Sequence, residues 1–167
     1  MTIAHASLLV GIHAHQLGPA DRGSQVFDLD DPPESRLTGG VGASQVDLLF
    51  SDKRTLASAA SENLDLAGAL PDAFGALITF AKVKSICIKC PATNTTSLTI
   101  GNAASNGFTG PFGGATHTLT IPPGGSVMLN APVGGWAVTP GTGDILKVLN
   151  GSGAAADYSI DILGTSA

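Results

Sequence analysis

A chain of 167 residues with a formal net charge of -5 fits one domain, and at that size folding hides roughly 70% of the surface the unfolded chain exposes. It is 43% hydrophobic but only 5% aromatic and 13% charged, against about 25% charged in an average soluble protein, so small apolar residues must supply much of the core. No Lys/Arg stripe suited to phosphates is present, which excludes nucleic acid as a partner; no stretch approaches the roughly 18 apolar residues of a membrane span; and two cysteines make no disulfide framework.

The charges are unevenly placed. Asp28, Asp30, Asp31 and Glu34 lie together with Arg36 as the nearby base, whereas from Lys84 onward the only formal charges are Lys84, Lys89, Asp144, Lys147, Asp157 and Asp161. An active site needs several convergent titratable groups, while a neutral sheet surface suits packing against other proteins. The expectation is a non-enzymatic structural or binding module without a cofactor.

In chain order, residues 3–12 form a short apolar run that contains His5 and follows no Lys or Arg, which does not read as a signal peptide. Synthesis and retention in a cytoplasm are expected. Residues 1–43 hold His5, His13 and His15, then Gly18, Pro19, Gly23, Pro32, Pro33, Gly39, Gly40 and Gly42, with no sustained period of 2 or 3.6. This is read as an extended N-terminal arm that gains little by folding on itself and is ordered, if at all, by lying along a neighbour. His13 and His15 share a face of an extended chain, yet on such an arm they are not held in place for a metal.

Residues 44–167 are read as an all-β, jelly-roll-like sandwich of about eight strands. Val46, Leu48 and Phe50 open it, and Glu62, Leu64 and Leu66 alternate with Asn63 and Asp65. A helix over residues 55–69 competes, since Leu56, Ala59, Ala60, Asn63 and Leu64 also pass at helical spacing, but Gly68 and Pro71 leave it little room to stop. Residues 83–90 are the strongest strand, with Ile86, Ile88 and Cys90 on one face and Ser85, Cys87 and Lys89 on the other. Further strands are expected at 98–102, 117–121, 127–130, 136–139, 145–150 and 158–163, separated by Gly/Pro/Asn turn chemistry. The expected core is Ile86, Ile88, Leu98, Ile100, Leu119, Ile121, Val127, Leu129, Ile145, Val148, Ile160 and Ile162.

The motifs that could carry chemistry are thin. Cys87-Ile88-Lys89-Cys90 is a CxxC, but inside a strand its sulfurs diverge, and no second ligand pair exists. The glycine tracts lack a phosphate-loop pattern and read as turns. His117 and Asp144 are the best remaining candidates for catalysis and lack a nucleophile in sequence context. Trp136 and Tyr158 are too few for a sugar-stacking platform.

The last hundred or so residues resemble small head-decoration, or cement, proteins of tailed-bacteriophage virions. The likeness is carried by Asp72-Ala73-Phe74-Gly75, by residues 79–84 (TFAKVK), by residues 98–106 (LTIGNAASN) and by residues 141–148 (GTGDILKV). The resemblance implies a β-sandwich on the outer surface of an icosahedral head, commonly a homotrimer, that binds the major capsid protein and strengthens the shell. The arm lies outside that likeness; it is expected from its own residues to reach along the capsid and add contacts away from the trimer axis, with Phe27, Asp28, Leu29, Asp30 and Arg36 as candidate contact residues. The long arm, Cys87 and Cys90 depart from the family pattern. A tail or baseplate connector or host-binding protein, and a carbohydrate-binding module, are the alternatives.

Overall fold

The computed structural model describes residues 3–18, 25–31, 34–68 and 70–167, with only the backbone at residues 17, 25–27, 31 and 34. Pro19, Gly23, Pro32 and Pro33, expected as turn residues, lie outside the described residues. Sixteen strands and no helix occur among those described. In chain order they are β1 (His5–Leu9), β2 (Ile12–Gly18), β3 (Gln25–Asp31), β4 (Glu34–Gly39), β5 (Gln45–Val46), β6 (Leu48–Leu56), β7 (Ser61–Asp65) and β8 (Leu70–Pro71). There follow β9 (Leu77–Ile78), β10 (Lys82–Lys89), β11 (Leu98–Gly101), β12 (Thr118–Ile121), β13 (Ser126–Asn130), β14 (Trp136–Ala137), β15 (Ile145–Asn150) and β16 (Ala156–Thr165). Ser61–Asp65 is a strand, so the competing helix over residues 55–69 is not formed.

Eight of these strands make two antiparallel four-stranded sheets, ordered β13-β10-β16-β6 and β12-β11-β15-β7, with β14 added beside β10. The chain crosses from one sheet to the other at nearly every connection. Inward-facing residues alternate with outward-facing ones, as a half-buried strand requires. In β16, Ala156, Tyr158, Ile160 and Ile162 are buried, and in β10 Ile86 and Ile88 face them across the ladder, Ile86 opposite Ile162 and Ile88 opposite Ile160. Leu98, Ile100, Leu64, Leu146 and Val148 of the second sheet join the same apolar cluster, so the two sheets pack face to face over one core.

The expected core needs correction at four positions. Leu119, Val127 and Leu129 are only half-buried because β12 and β13 are edge strands, covered from one side alone. Ile145 pairs with Asp65 on the outer face, and its neighbour Leu146, opposite Leu64, takes the inward place. The chain spends its few large side chains inside: Phe50, Phe80, Leu66 and Tyr158 are all fully buried.

The N-terminal segment departs most from expectation. It does fold on itself: β1 pairs with β4 from His5↔Thr38 to Leu9↔Glu34, and β2 with β3 from Ile12↔Asp31 to Gly18↔Gln25. The two residue numbers of each pair add to the same total throughout, so the four strands form one antiparallel ribbon in a single register. From His5 to Gly18 it extends about 45 Å at roughly 3.4 Å per residue. The physical reason is complementarity across the ribbon, where His13 and His15 meet Asp30 and Asp28 on one face while Ala14 meets Leu29 on the other.

Candidate functional site

The ribbon is the feature that distinguishes this molecule from a plain sandwich, and its base is built to be rigid. Leu8 and Leu37 are buried with Val46 of β5 in a second apolar cluster, against which Ile3, Ala6, Met128 and Leu163 pack. Met128 and Leu163 belong to β13 and β16, so the ribbon is seated on the outer face of the first sheet. Backbone bonds complete the attachment: β4 pairs parallel with β5, Thr38 N–H donates to Ser44 O at 3.1 Å, and Ser44 N–H donates to Pro132 O at 3.0 Å. The chain passes so close at Gly39 that a Cβ there would lie 2.2 Å from Ile3 O.

Lys84 ties the same region from below. The ladder between β10 and β16 shifts register between Val83 and Ser85, which makes Lys84 the extra residue of a β-bulge. A bulge re-aims its side chain, and the Lys84 ammonium, in a side chain 1% exposed, donates to Val133 O at 2.7 Å and to Gly42 O at 3.4 Å. Desolvation, and secondarily the neighbouring charge of Lys82, hold its pKa below the usual lysine value. One of the few charges in the C-terminal half is therefore spent on fastening the arm. Asp144, another, is buried and accepts a hydrogen bond from Gly141 N–H at 2.5 Å. The outer surface of the sandwich is left even less charged than the composition suggests.

Directly opposed residues of an antiparallel pair share a face, which divides the ribbon into two. His5, Ser7, His13 and His15 share one face with Thr38, Arg36, Asp30 and Asp28; Ala6, Leu8, Ile12 and Ala14 share the other, mainly apolar, with Leu37, Ser35, Asp31 and Leu29. On this face Leu8 and Leu37 are buried at the base, and its apolar residues further out are uncovered: Ile12 is 66% and Leu29 39% exposed, and Val10, which joins β1 to β2 between Leu8 and Ile12, is 47% exposed. Leu9, on the polar face, is 67% exposed.

Among the expected arm residues, Asp28 and Asp30 lie on the polar face and contact His15 and His13, Leu29 lies on the apolar face, and Arg36 sits near the base opposite Ser7. Phe27 is placed opposite Gln16, and its side chain, like those of Asp31 and Glu34, lies outside the described residues. The ribbon thus brings Asp28, Leu29 and Asp30 together near its outer part, about 20 Å from Arg36 at the strand rise.

A second apolar feature falls on Asp72-Ala73-Phe74-Gly75, which the sequence marked for its likeness to a family and not as a contact surface. Between β8 and β9 the chain turns on Asp72, whose carboxylate accepts from Phe74 N–H at 2.8 Å and Ala76 N–H at 3.0 Å. The turn lifts Phe74, 81% exposed, and Leu77, 70% exposed, beside Ile3, Leu48 and Leu49, and a groove of about 270 Å³ lies among them. Its signal in the sequence was an aromatic held in a tight turn that buries nothing.

The other expected candidates are scattered. Cys90 is buried in the core and Cys87 is half-buried on the outer face; both are free thiols. Burial raises the pKa of Cys87, with Lys89 opposing the effect and Asp161 adding to it, the direction opposite to that which favours a thiolate. The ring of exposed His117 bonds to Phe112 O at 2.8 Å through Nδ1. Trp136 packs half-buried against the core with Gly110 beneath it, and Tyr158 is fully buried, so these two rings do not form a stacking platform. Among the described residues no group of three or more His, Cys, Asp or Glu is placed to hold a metal ion, and no helix is long and apolar enough to cross a membrane.

Comparison with protein-family models, with curated proteins and with solved structures finds no match to this chain.

Proposed function

We propose that this chain is a non-enzymatic virion protein: a jelly-roll decoration module that self-associates, as a homotrimer, on the outer surface of a phage head and binds the major capsid protein through its N-terminal ribbon. The observation that carries the reading is the amphipathic ribbon. Its apolar face is already used for docking at the base, and the uncovered continuation through Val10, Ile12 and Leu29 offers the same chemistry to a partner. An apolar stripe of this kind marks an interaction surface. Among the described residues β2 and β3 pair only with each other, so the outer edges of this part of the ribbon can add to a neighbour's sheet. A hairpin alone is marginal in water, and the outer half gains order when a partner covers it.

The sandwich supports the same role. The strand orders β13-β10-β16-β6 and β12-β11-β15-β7, with the chain alternating between sheets, support reading the sandwich as a two-sheet jelly roll. A sparsely charged outer surface costs little to desolvate when identical copies pack around a symmetry axis. The test is co-sedimentation of purified protein with expanded heads that lack it. Binding is expected for the wild type and lost in the Ile12→Asp, Leu29→Asp double variant, whose sandwich remains folded. Failure of the wild type to bind, or equal heat resistance of heads with and without it, would remove the proposal, and labelling confined to tails in electron micrographs would replace the head with the baseplate.

A further inference from the structure

We propose that His13 and His15 form a two-imidazole site for a divalent transition-metal ion, with Asp30 and Asp28 orienting the two rings. The objection to such a site on a loose arm is that its ligands are not held; the ribbon register removes that objection. The two histidines are separated by one residue on β2 and lie on one face, about 7 Å apart along the strand, a spacing from which two rings can converge on one ion. Each ring turns Nδ1 toward the carboxylate directly across the ribbon: His13 Nδ1 to Asp30 Oδ1 at 3.1 Å, and His15 Nδ1 to Asp28 Oδ1.

A ring that donates its Nδ1 proton to a carboxylate keeps Nε2 as the lone-pair nitrogen. This carboxylate-histidine arrangement is the one that orients metal-binding imidazoles and raises their basicity. The two carboxylates beside the imidazoles also bring negative charge for a dication to meet. Imidazole donors select zinc, copper or nickel over magnesium or calcium. Among the described residues no third protein ligand joins the pair, so water would fill the remaining positions, and the high exposure of both rings, 72% for His13 and 59% for His15, leaves the ion free to enter and exchange.

The experiment is calorimetric titration of the full chain with Zn²⁺, and separately with Ni²⁺, in a Cys87→Ser background that removes the accessible thiol. One saturable site per chain is expected. It is lost in His13→Ala and in His15→Ala, weakened about 10- to 100-fold in Asp30→Asn and Asp28→Asn, and unchanged in His5→Ala and His117→Ala. Hydrogen exchange adds a readout independent of affinity: amides of β2 and β3 slow when metal is added, because binding only the paired ribbon stabilises it. Absence of saturable binding, or binding that survives the His13→Ala, His15→Ala double variant, overturns the site. Full affinity in both Asp variants overturns the orienting role.

Discussion

Tyr158 is the only tyrosine in the chain, and its phenol provides a direct test of how the two sheets are held together. The side chain is fully buried, and its hydroxyl donates to Glu62 Oε1 at 2.5 Å. The other oxygen of that carboxylate accepts from Arg54 Nη1 at 2.6 Å, and Arg54 Nε lies 3.0 Å from Asp52 Oδ2. Tyr158 and Arg54 are opposed residues of β16 and β6 in the first sheet, whereas Glu62 is on β7 in the second. The cluster therefore bridges the sandwich at its edge.

In Tyr158→Phe the Glu62 carboxylate loses a donor while most of its surface remains covered, its side chain being 21% exposed. A hydrogen bond to a charged group contributes about 1.5 to 3 kcal/mol, and a loss of about 2 kcal/mol in denaturant unfolding is expected. The ionisation of the phenol gives a second reading. Burial first, then the hydrogen bond to Glu62 and its charge, raise the pKa far above the ordinary 10.0. The native chain thus keeps a proton that the unfolded chain gives up, so this stabilisation is complete below pH 10 and declines as pH rises beyond it. Absorbance of the phenolate should stay absent from the native protein at the pH where free tyrosine is half-ionised, and should rise together with loss of the β-sheet circular dichroism signal. Phenolate forming near its ordinary pKa in a chain whose dichroism is still native would refute the argument, as would a Tyr158→Phe cost below about 0.5 kcal/mol, the scale of an ordinary surface change.

Three further outcomes follow from the packing. Lys84 has its pKa lowered in the fold, so the unfolded chain binds the extra proton and stability from this group rises with pH in the window below 10.5, the unshifted value; the difference between wild type and Lys84→Met, measured by denaturation at stepped pH, should carry that slope. Gly164→Ala places a Cβ 2.2 Å from Lys82 O and 2.5 Å from the Phe80 ring, and overpacking of this kind should cost about 1 to 3 kcal/mol in thermal or chemical unfolding. Leu37→Ala empties the ribbon seat, a truncation that typically costs about 2 to 5 kcal/mol, and the loss should appear in hydrogen exchange as faster amides in β1 and β4 while β10 and β16 stay protected.

Much of the sandwich was legible because its turns are written in Gly, Pro and Asn and its central strands alternate cleanly. The segment around Ile86 and Ile88 is the clearest case, and the split of Cys87 from Cys90 followed from strand period alone. Residues 145–150 were ambiguous for a physical reason: Ile145, Leu146, Val148 and Leu149 put apolar side chains on both faces, and only the pairing of Leu146 with Leu64 decides which face is inward. The ribbon was missed because Leu9 and Gly11 interrupt the alternation near its middle. Its signal lay in comparing two distant runs, His13-Ala14-His15 and Asp28-Leu29-Asp30, which are polar, apolar, polar with complementary charge and become paired in register. Within-window periodicity cannot detect that, since each strand looks regular only beside its partner.

The candidate site was legible in composition and not in form. Acids and apolar residues near 27–36 suggested a contact arm, but an extended arm and a self-paired ribbon make different physical demands on a partner. An extended strand must be ordered entirely at the moment of binding, at about 1 to 2 kcal/mol per residue of backbone freedom. The ribbon has much of that ordering built in at its base, where Leu8, Leu37 and Val46 are buried and Lys84 clasps the loop beneath. What a partner must supply is cover for Ile12 and Leu29 and, where its edge permits, hydrogen bonds to β2 or β3. From the seat at Leu8 to the end of β2 at Gly18 the ribbon reaches about 34 Å at the rise of an extended strand, so on the proposed reading a partner held there displaces none of the contacts made by the neutral sandwich.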